Sequence, residues 1–185
     1  MNTKKIHKDR IIGLLFIGAF LCYGIGRNFF ESQNNSEQLI GGFLILINSI
    51  FVIYIGIFLS KTIKPFHSLV ANTYLFTRVI EAIALSSILL NLILNTKISY
   101  DLGYHIAMLS LGIGSIPMCF VLYKNNIVAS WLAIWGIIGY SLLFLGFLLE
   151  LFGIEWSMYI LIIGGLWEII FAVRLIFRLE KKFKF

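Results

Sequence analysis

The sequence predicts an all-α fold, an integral membrane bundle of six transmembrane helices. Three observations carry this. First, 59% of the 185 residues are hydrophobic and only 13% are charged, with a mean hydropathy of +0.93, whereas a soluble domain is about a quarter charged. Second, the apolar residues stand in long blocks rather than in a 3.6-residue stripe, and a bilayer core asks for about 20 apolar residues per helix. Third, the connections between blocks are short and leave no room for a soluble unit. The blocks fall at roughly 11–30, 38–60, 68–94, 102–123, 127–150 and 156–178, within a single domain spanning 1–185. Helices suit lipid because their backbone groups satisfy one another. The alternating pattern of a membrane barrel is absent.

Helix 1 follows Lys4, Lys5, Lys8 and Arg10, as a signal peptide would. Its apolar run is longer than a usual signal core and no small-residue cleavage site follows, so it reads as a retained helix. It ends near Gly24-Ile25-Gly26-Arg27, before the polar loop of residues 31–38. Helix 2 is apolar apart from Asn48 and Ser49, and Pro65 blocks its continuation. Helix 3 carries Arg78 and Glu81 and gives way to a short turn from Asn95 to Asp101. Helix 4 contains Gly112, Gly114 and Pro117, which predict a kink. Lys124-Asn125-Asn126 is a tight turn, helix 5 runs to Glu150, and helix 6 carries Glu168 before a Lys/Arg tail. The two halves show no residue-level similarity that would mark an inverted repeat.

The formal net charge of +6 is a matter of placement, not a nucleic-acid signal. With a cytoplasmic N-terminus, most basic residues fall inside: Lys4, Lys5, Lys8, Arg10, Lys61, Lys64, Lys124, Arg174, Arg178, Lys181, Lys182 and Lys184. Outside are only Arg27 and Lys97, among Glu31, Glu37, Asp101, Glu150 and Glu155. The positive-inside rule then places both termini in the cytoplasm and the chain in the cell (inner) membrane, with membrane lipids as its partners. Cys22 and Cys119 lie at different depths, which argues against a disulfide between them.

The informative feature is Arg78-Val79-Ile80-Glu81, opposite charges within an apolar run. Ionisable groups inside a membrane are rare and face protein or a wet cavity. On a helical wheel Tyr74, Arg78 and Glu81 share about 60° of arc, and Thr73, Thr77, Asn91 and Asn95 widen that face to about 140°. Arg78 lies about 14 Å from the inner edge and Glu168 about 15 Å, with Glu81 a turn further out and Asn48 at a similar level. A cluster of Arg78, Glu81 and Glu168, with Tyr74 and Asn48 near, is therefore geometrically permitted. One arginine beside two carboxylates lacks one positive charge, so either a carboxylate carries a proton or a cation fills the gap. Three readings stay open: a buried pair that fixes helix packing, a site for a ligand, lipid or proton, and catalysis.

A second group, His105, Glu150 and Arg27, gathers at the outer ends with Asp101 and Glu155. It reads as the mouth of a cavity or as ordinary interfacial polarity. On helix 5, Ala129, Ala133, Gly136, Gly139 and Gly146 share about 140° of arc, which fits close internal packing or a homodimer face. Trp131, Trp156 and Trp167 read as interfacial or lipid-facing anchors, and Trp135 as a deeper residue. The three histidines (His7, His67 and His105) lie apart and form no zinc motif. Ser115 within Gly112-Ile113-Gly114-Ser115 has no histidine at its depth. No aspartate lies mid-membrane, and there is no phosphate or dinucleotide loop. No cofactor, metal site or enzyme activity is indicated.

Arg78-Val79-Ile80-Glu81-Ala82, His105 opening helix 4, the stretch from Leu122 through Trp131-Leu132-Ala133-Ile134-Trp135-Gly136-Ile137-Ile138-Gly139, and Glu168 together resemble the bacterial membrane family known as domain of unknown function 4386. Where that family shows Ile-Pro-Arg, this chain has Ile127-Val128-Ala129-Ser130. The resemblance implies a six-helix inner-membrane protein and no particular activity. The leading expectation is a non-enzymatic membrane protein with a buried polar site. A small proton- or solute-coupled transporter or channel is the second, and a lipid-modifying intramembrane enzyme the third.

Overall fold

The computed structural model describes residues 3–94, 100–154, 157–177 and 179. The elements are α1 (Thr3–Phe30), α2 (Asn35–Ile63), α3 (Ser68–Leu94), α4 (Tyr100–Lys124), α5 (Ser130–Glu150) and α6 (Ser157–Ile176). The all-helical fold is as the sequence predicts. Among the described residues, α1 to α5 each offer a stretch long and apolar enough to cross a membrane. The chain is a multi-pass membrane protein. α6 has 20 residues, a length of about 30 Å at 1.5 Å per residue.

The helix ends follow local chemistry. Asn34 caps α2 by accepting a hydrogen bond from the Ser36 amide at 3.0 Å, so that helix starts three residues before its apolar block. The His67 imidazole accepts from the Val70 amide at the start of α3. α4 and α5 both close with a residue in the left-handed region, Asn126 (φ 50°) and Gly153 (φ 82°). In each case the next amide reaches back five residues, Ile127 to Leu122 at 3.0 Å and Ile154 to Leu149 at 3.2 Å, which satisfies a terminal carbonyl. Because the chain leaves Asn126 in this way, α5 opens at Ser130 rather than at residue 127.

Each helix packs on the next, and α6 returns to α1. Short connections make the neighbours antiparallel. The result is a ring of six staves, across which α2 approaches α4 and Tyr23 of α1 stacks on Tyr104 of α4. The alternation puts Lys8, Arg10, Lys61, Lys64, Lys124 and Arg174 at one end of the ring. Leu14, Leu69, Phe76 and Ile83 face outward, as lipid-facing positions should. Buried hydroxyls turn back on their own helix, Ser49 to the Ile45 carbonyl and Thr62 to the Phe58 carbonyl, both at 3.0 Å.

The packing meets one sequence expectation and corrects another. The small face of α5 is used inside the protomer. A Cβ added at Gly136 would stand 2.8 Å from the Trp167 ring, and one at Gly139 would meet Gly164 at 3.5 Å. Ala133 and Gly146 are buried as well, leaving only Ala129 partly open. This face packs on α4 and α6, the close internal packing that the small residues predict. Trp167 is no lipid anchor: it is fully buried, because the glycine opposite gives its ring a place. Trp131 does lie exposed, with the Arg174 guanidinium 5.2 Å over its ring. Trp135 is half-buried. Trp156, Lys97, Glu155, Asn95 and the tail basic residues Arg178, Lys181, Lys182 and Lys184 lie outside the described residues, as do the side chains of Lys4, Lys5, His7, Asn91 and Asp101.

α1 and α2 meet backbone to backbone. A Cβ at Gly41 would fall 2.5 Å from the Phe30 nitrogen and 2.6 Å from the Gly26 carbonyl oxygen. Backbone cannot step aside as a flexible side chain can, so Gly41→Ala is expected to destabilise the bundle by about 1–3 kcal/mol. Gly24, which has open space around it, is the control. Gly24→Ala should leave the melting temperature in detergent unchanged or slightly raised, since alanine is the better helix former.

Candidate functional site

The polar face of α3 turns into the ring. Arg78 and Glu81 are 2% and 4% exposed. The Arg78 Nη1 donates to Glu81 Oε2 at 2.8 Å, an ion pair across one helical turn. The guanidinium also lies 5.7 Å from the centre of the buried Tyr74 ring. Its stem is pressed against α2, where a Cβ on Gly56 would come within 2.9 Å of Arg78 Cβ. The arginine is thus held at mid-bundle. Its Nε is enclosed and has no hydrogen-bond partner.

Glu168 of α6 reaches the same region by a different contact. Its Oε1 accepts a hydrogen bond from the Tyr140 hydroxyl of α5 at 2.9 Å. No ion pair joins it to Arg78 among the described residues. Equal depth is therefore not direct pairing: Arg78 is taken by its near neighbour Glu81, and Glu168 is held by a tyrosine. Tyr140 is itself fixed edge-on against Trp167, with ring centres 5.2 Å apart.

Asn48, Arg78, Glu81, Tyr140 and Glu168 all line one cavity of about 290 Å³. Every helix contributes to its wall, which is otherwise apolar, with Phe16, Val52, Leu85, Met108, Leu111 and Leu143 among the lining. Asn48 is buried, and no hydrogen-bond partner for its amide occurs among the described residues. Tyr74 supports Arg78 from behind and is not part of the wall. Three lining residues are also exposed on the outside: Phe20 of α1 (48%) and Ile162 and Leu166 of α6 (60% and 45%). The cavity consequently opens sideways, between α1 and α6. Gly165 keeps the α6 rim of that opening low: a Cβ there would stand 3.6 Å from the Phe20 ring.

The outer group forms a site apart. His105 Nε2 and Glu150 Oε2 are 3.2 Å apart, with the imidazole edge-on to Phe147. Arg27 instead pairs with Glu31 one turn on, at 2.8 Å, and its guanidinium lies 5.5 Å from the centre of the Tyr104 ring. None of His105, Glu150 and Arg27 lines the cavity. Tyr104, stacked on Tyr23 at 5.9 Å, stands in the wall beside them. No group of metal-ligating side chains occurs among the described residues. Sequence reasoning missed Tyr140, although it neighbours Gly139 on the inward face of α5 and carries the hydroxyl that a buried carboxylate needs.

Residues 92–178, from the last turn of α3 through α6, match the family model described as Domain of unknown function (DUF4386). This bears out the family resemblance over that part of the chain. Arg78 and Glu81 precede the matched segment. No curated protein and no solved structure matches the chain.

Proposed function

We propose that this multi-pass membrane protein, whose second half carries the domain of unknown function DUF4386, is a non-enzymatic binding protein for a small amphiphile. The observation that carries the reading is the cavity. It has an apolar wall, a charged base at Arg78, Glu81 and Glu168, and an opening rimmed by the exposed apolar side chains of Phe20, Ile162 and Leu166. Ligand pockets run from about 300 Å³ upward, so this one sits at the small end of the range. It suits a polar head and the first part of a chain whose remainder lies in the α1–α6 opening. Buried polar groups need partners, and a polar head supplies them to Asn48 and to the open side of Glu168.

A transport path would need polar groups from His105 and Glu150 down to Glu81. The wall between carries Leu85, Met108 and Leu111, which favours a closed-ended site. We place the end bearing Lys8, Lys61, Lys64 and Lys124 on the cytoplasmic side of a cell membrane, supported by the excess of lysine there. A membrane-impermeant amine label reads that sidedness directly.

Purified protein in phosphatidylcholine nanodiscs is expected to bind an eight-carbon amphiphile saturably, above the linear uptake of empty nanodiscs. Ala19→Phe, which adds a ring to the cavity wall, should abolish the saturable part while the protein still elutes as a folded particle. Uptake that matches empty nanodiscs for every head group would remove the reading.

A further inference from the structure

The charge of the head group can be read from how the buried charges are shared. Arg78 is committed to Glu81 at 2.8 Å, so those two cancel. Glu168 is left with a neutral donor, the Tyr140 hydroxyl, and with no ion pair among the described residues. With all three groups ionised, the cavity base carries one uncompensated negative charge. An unpaired charge away from water is costly, and more so within a membrane bundle. An anionic head would add a second negative charge beside the first. A neutral head would leave the first unpaired. Of the three, only a cationic head brings the site to neutrality with both carboxylates ionised.

The wall agrees with this. Phe16, Tyr23, Tyr104 and Tyr140 all line the cavity, and aromatic faces attract desolvated cations. Among the described residues no lysine lines it, and the one arginine that does is already paired.

Building on the amphiphile reading above, we propose that the occupant is a cationic amphiphile, a single-chain ammonium compound whose head pairs with Glu168. The Glu168 carboxylate takes the charge, Tyr140 holds that carboxylate in place, and the chain runs out between Phe20 and Ile162 into lipid.

The test compares octyltrimethylammonium, octanol and octanoate on the full chain in phosphatidylcholine nanodiscs, against Glu168→Gln. The glutamine can still accept the Tyr140 hydrogen bond, so the fold should persist, and a melting curve checks that it does. Octyltrimethylammonium should bind at least about tenfold more tightly than octanol, and octanoate should show no saturable binding, because the Glu168 charge attracts the one head and repels the other, and aromatic faces favour the cation. Glu168→Gln should bring the ammonium down to the octanol level. The comparison in the unsubstituted protein stands even if the variant does not fold. Octanol or octanoate binding as tightly as the ammonium would overturn the cation assignment while leaving an amphiphile site in place. An ammonium affinity unchanged in a folded Glu168→Gln protein would overturn it too. Absence of saturable binding by all three probes would remove the amphiphile reading itself.

Discussion

Arg78→Ala is expected to destabilise the bundle by about 3–5 kcal/mol, the usual effect of removing one partner from a buried ion pair. The reason lies in what the arginine leaves behind. Glu81 is 4% exposed and receives its hydrogen bond from Arg78 Nη1 at 2.8 Å. Without that donor a carboxylate stands alone in a region with little water. Two further contacts go with the side chain, the Tyr74 ring beneath the guanidinium and the close approach of α2 at Gly56. Glu81→Ala should show a loss of the same order, since it strands the guanidinium instead. The double variant Arg78→Met with Glu81→Leu removes both charges and retains volume, so it should recover most of the stability. Unfolding titrations in detergent for the two single variants and the double variant check this as a cycle. Singles that unfold like the parent protein would mean that the pair does not hold α3 in its rotation. The Nε of Arg78 lacks a partner already, so the pair is not a fully satisfied network. That leaves room for apolar replacements to do better than the native residues.

The sequence made the staves legible because lipid imposes a length and a polarity on each. Apolar blocks at 38–60 and 68–94 became Asn35–Ile63 and Ser68–Leu94, and the differences at the ends trace to caps such as Asn34. Opposite charges three residues apart predicted that α3 would turn Arg78 and Glu81 the same way, and they meet within one helical turn. Counting residues from the helix ends placed Glu168 and Arg78 at one depth, and both line the cavity. Depth did not give rotation. Which residue on α5 faces Glu168 depends on how α5 turns about its own axis, and that is set by Gly136 and Gly139 nestling against α6. Tyr140 is carried inward with them. Arg27 was grouped by level with His105 and Glu150, but a carboxylate four residues on, Glu31 just past the end of α1, is the nearer partner. The void had no signature in the chain at all, since it arises where six separately apolar faces fail to fill one space. Its lateral opening depends in the same way on how α1 and α6 meet.

Trp167→Ala should cost about 3–5 kcal/mol, the range for deleting a large buried aromatic ring. A lipid-facing anchor would predict almost no change, because there acyl chains refill the space. The structure gives Trp167 four neighbours that acyl chains cannot replace. Its Nε1 donates to the Leu132 carbonyl of α5 at 2.6 Å. Its ring stacks on Phe171 with centres 4.9 Å apart and receives Tyr140 edge-on. On the far side it fills the notch left by Gly136. Truncation would open a hole between α5 and α6 and free the Tyr140 ring that steadies the Glu168 carboxylate. Trp167→Phe keeps an aromatic ring but gives up the N–H donor, so it should cost less, about 1–2 kcal/mol, within the range for one lost hydrogen bond. Detergent unfolding of the two variants orders them. If Trp167→Ala unfolds like the parent protein, the ring belongs to the lipid face after all. The two changes also separate packing from positioning. Trp167→Phe should leave Tyr140 supported and ligand affinity near that of the parent protein, whereas Trp167→Ala should weaken both, because the hydroxyl that orients Glu168 depends on a ring wedged behind it.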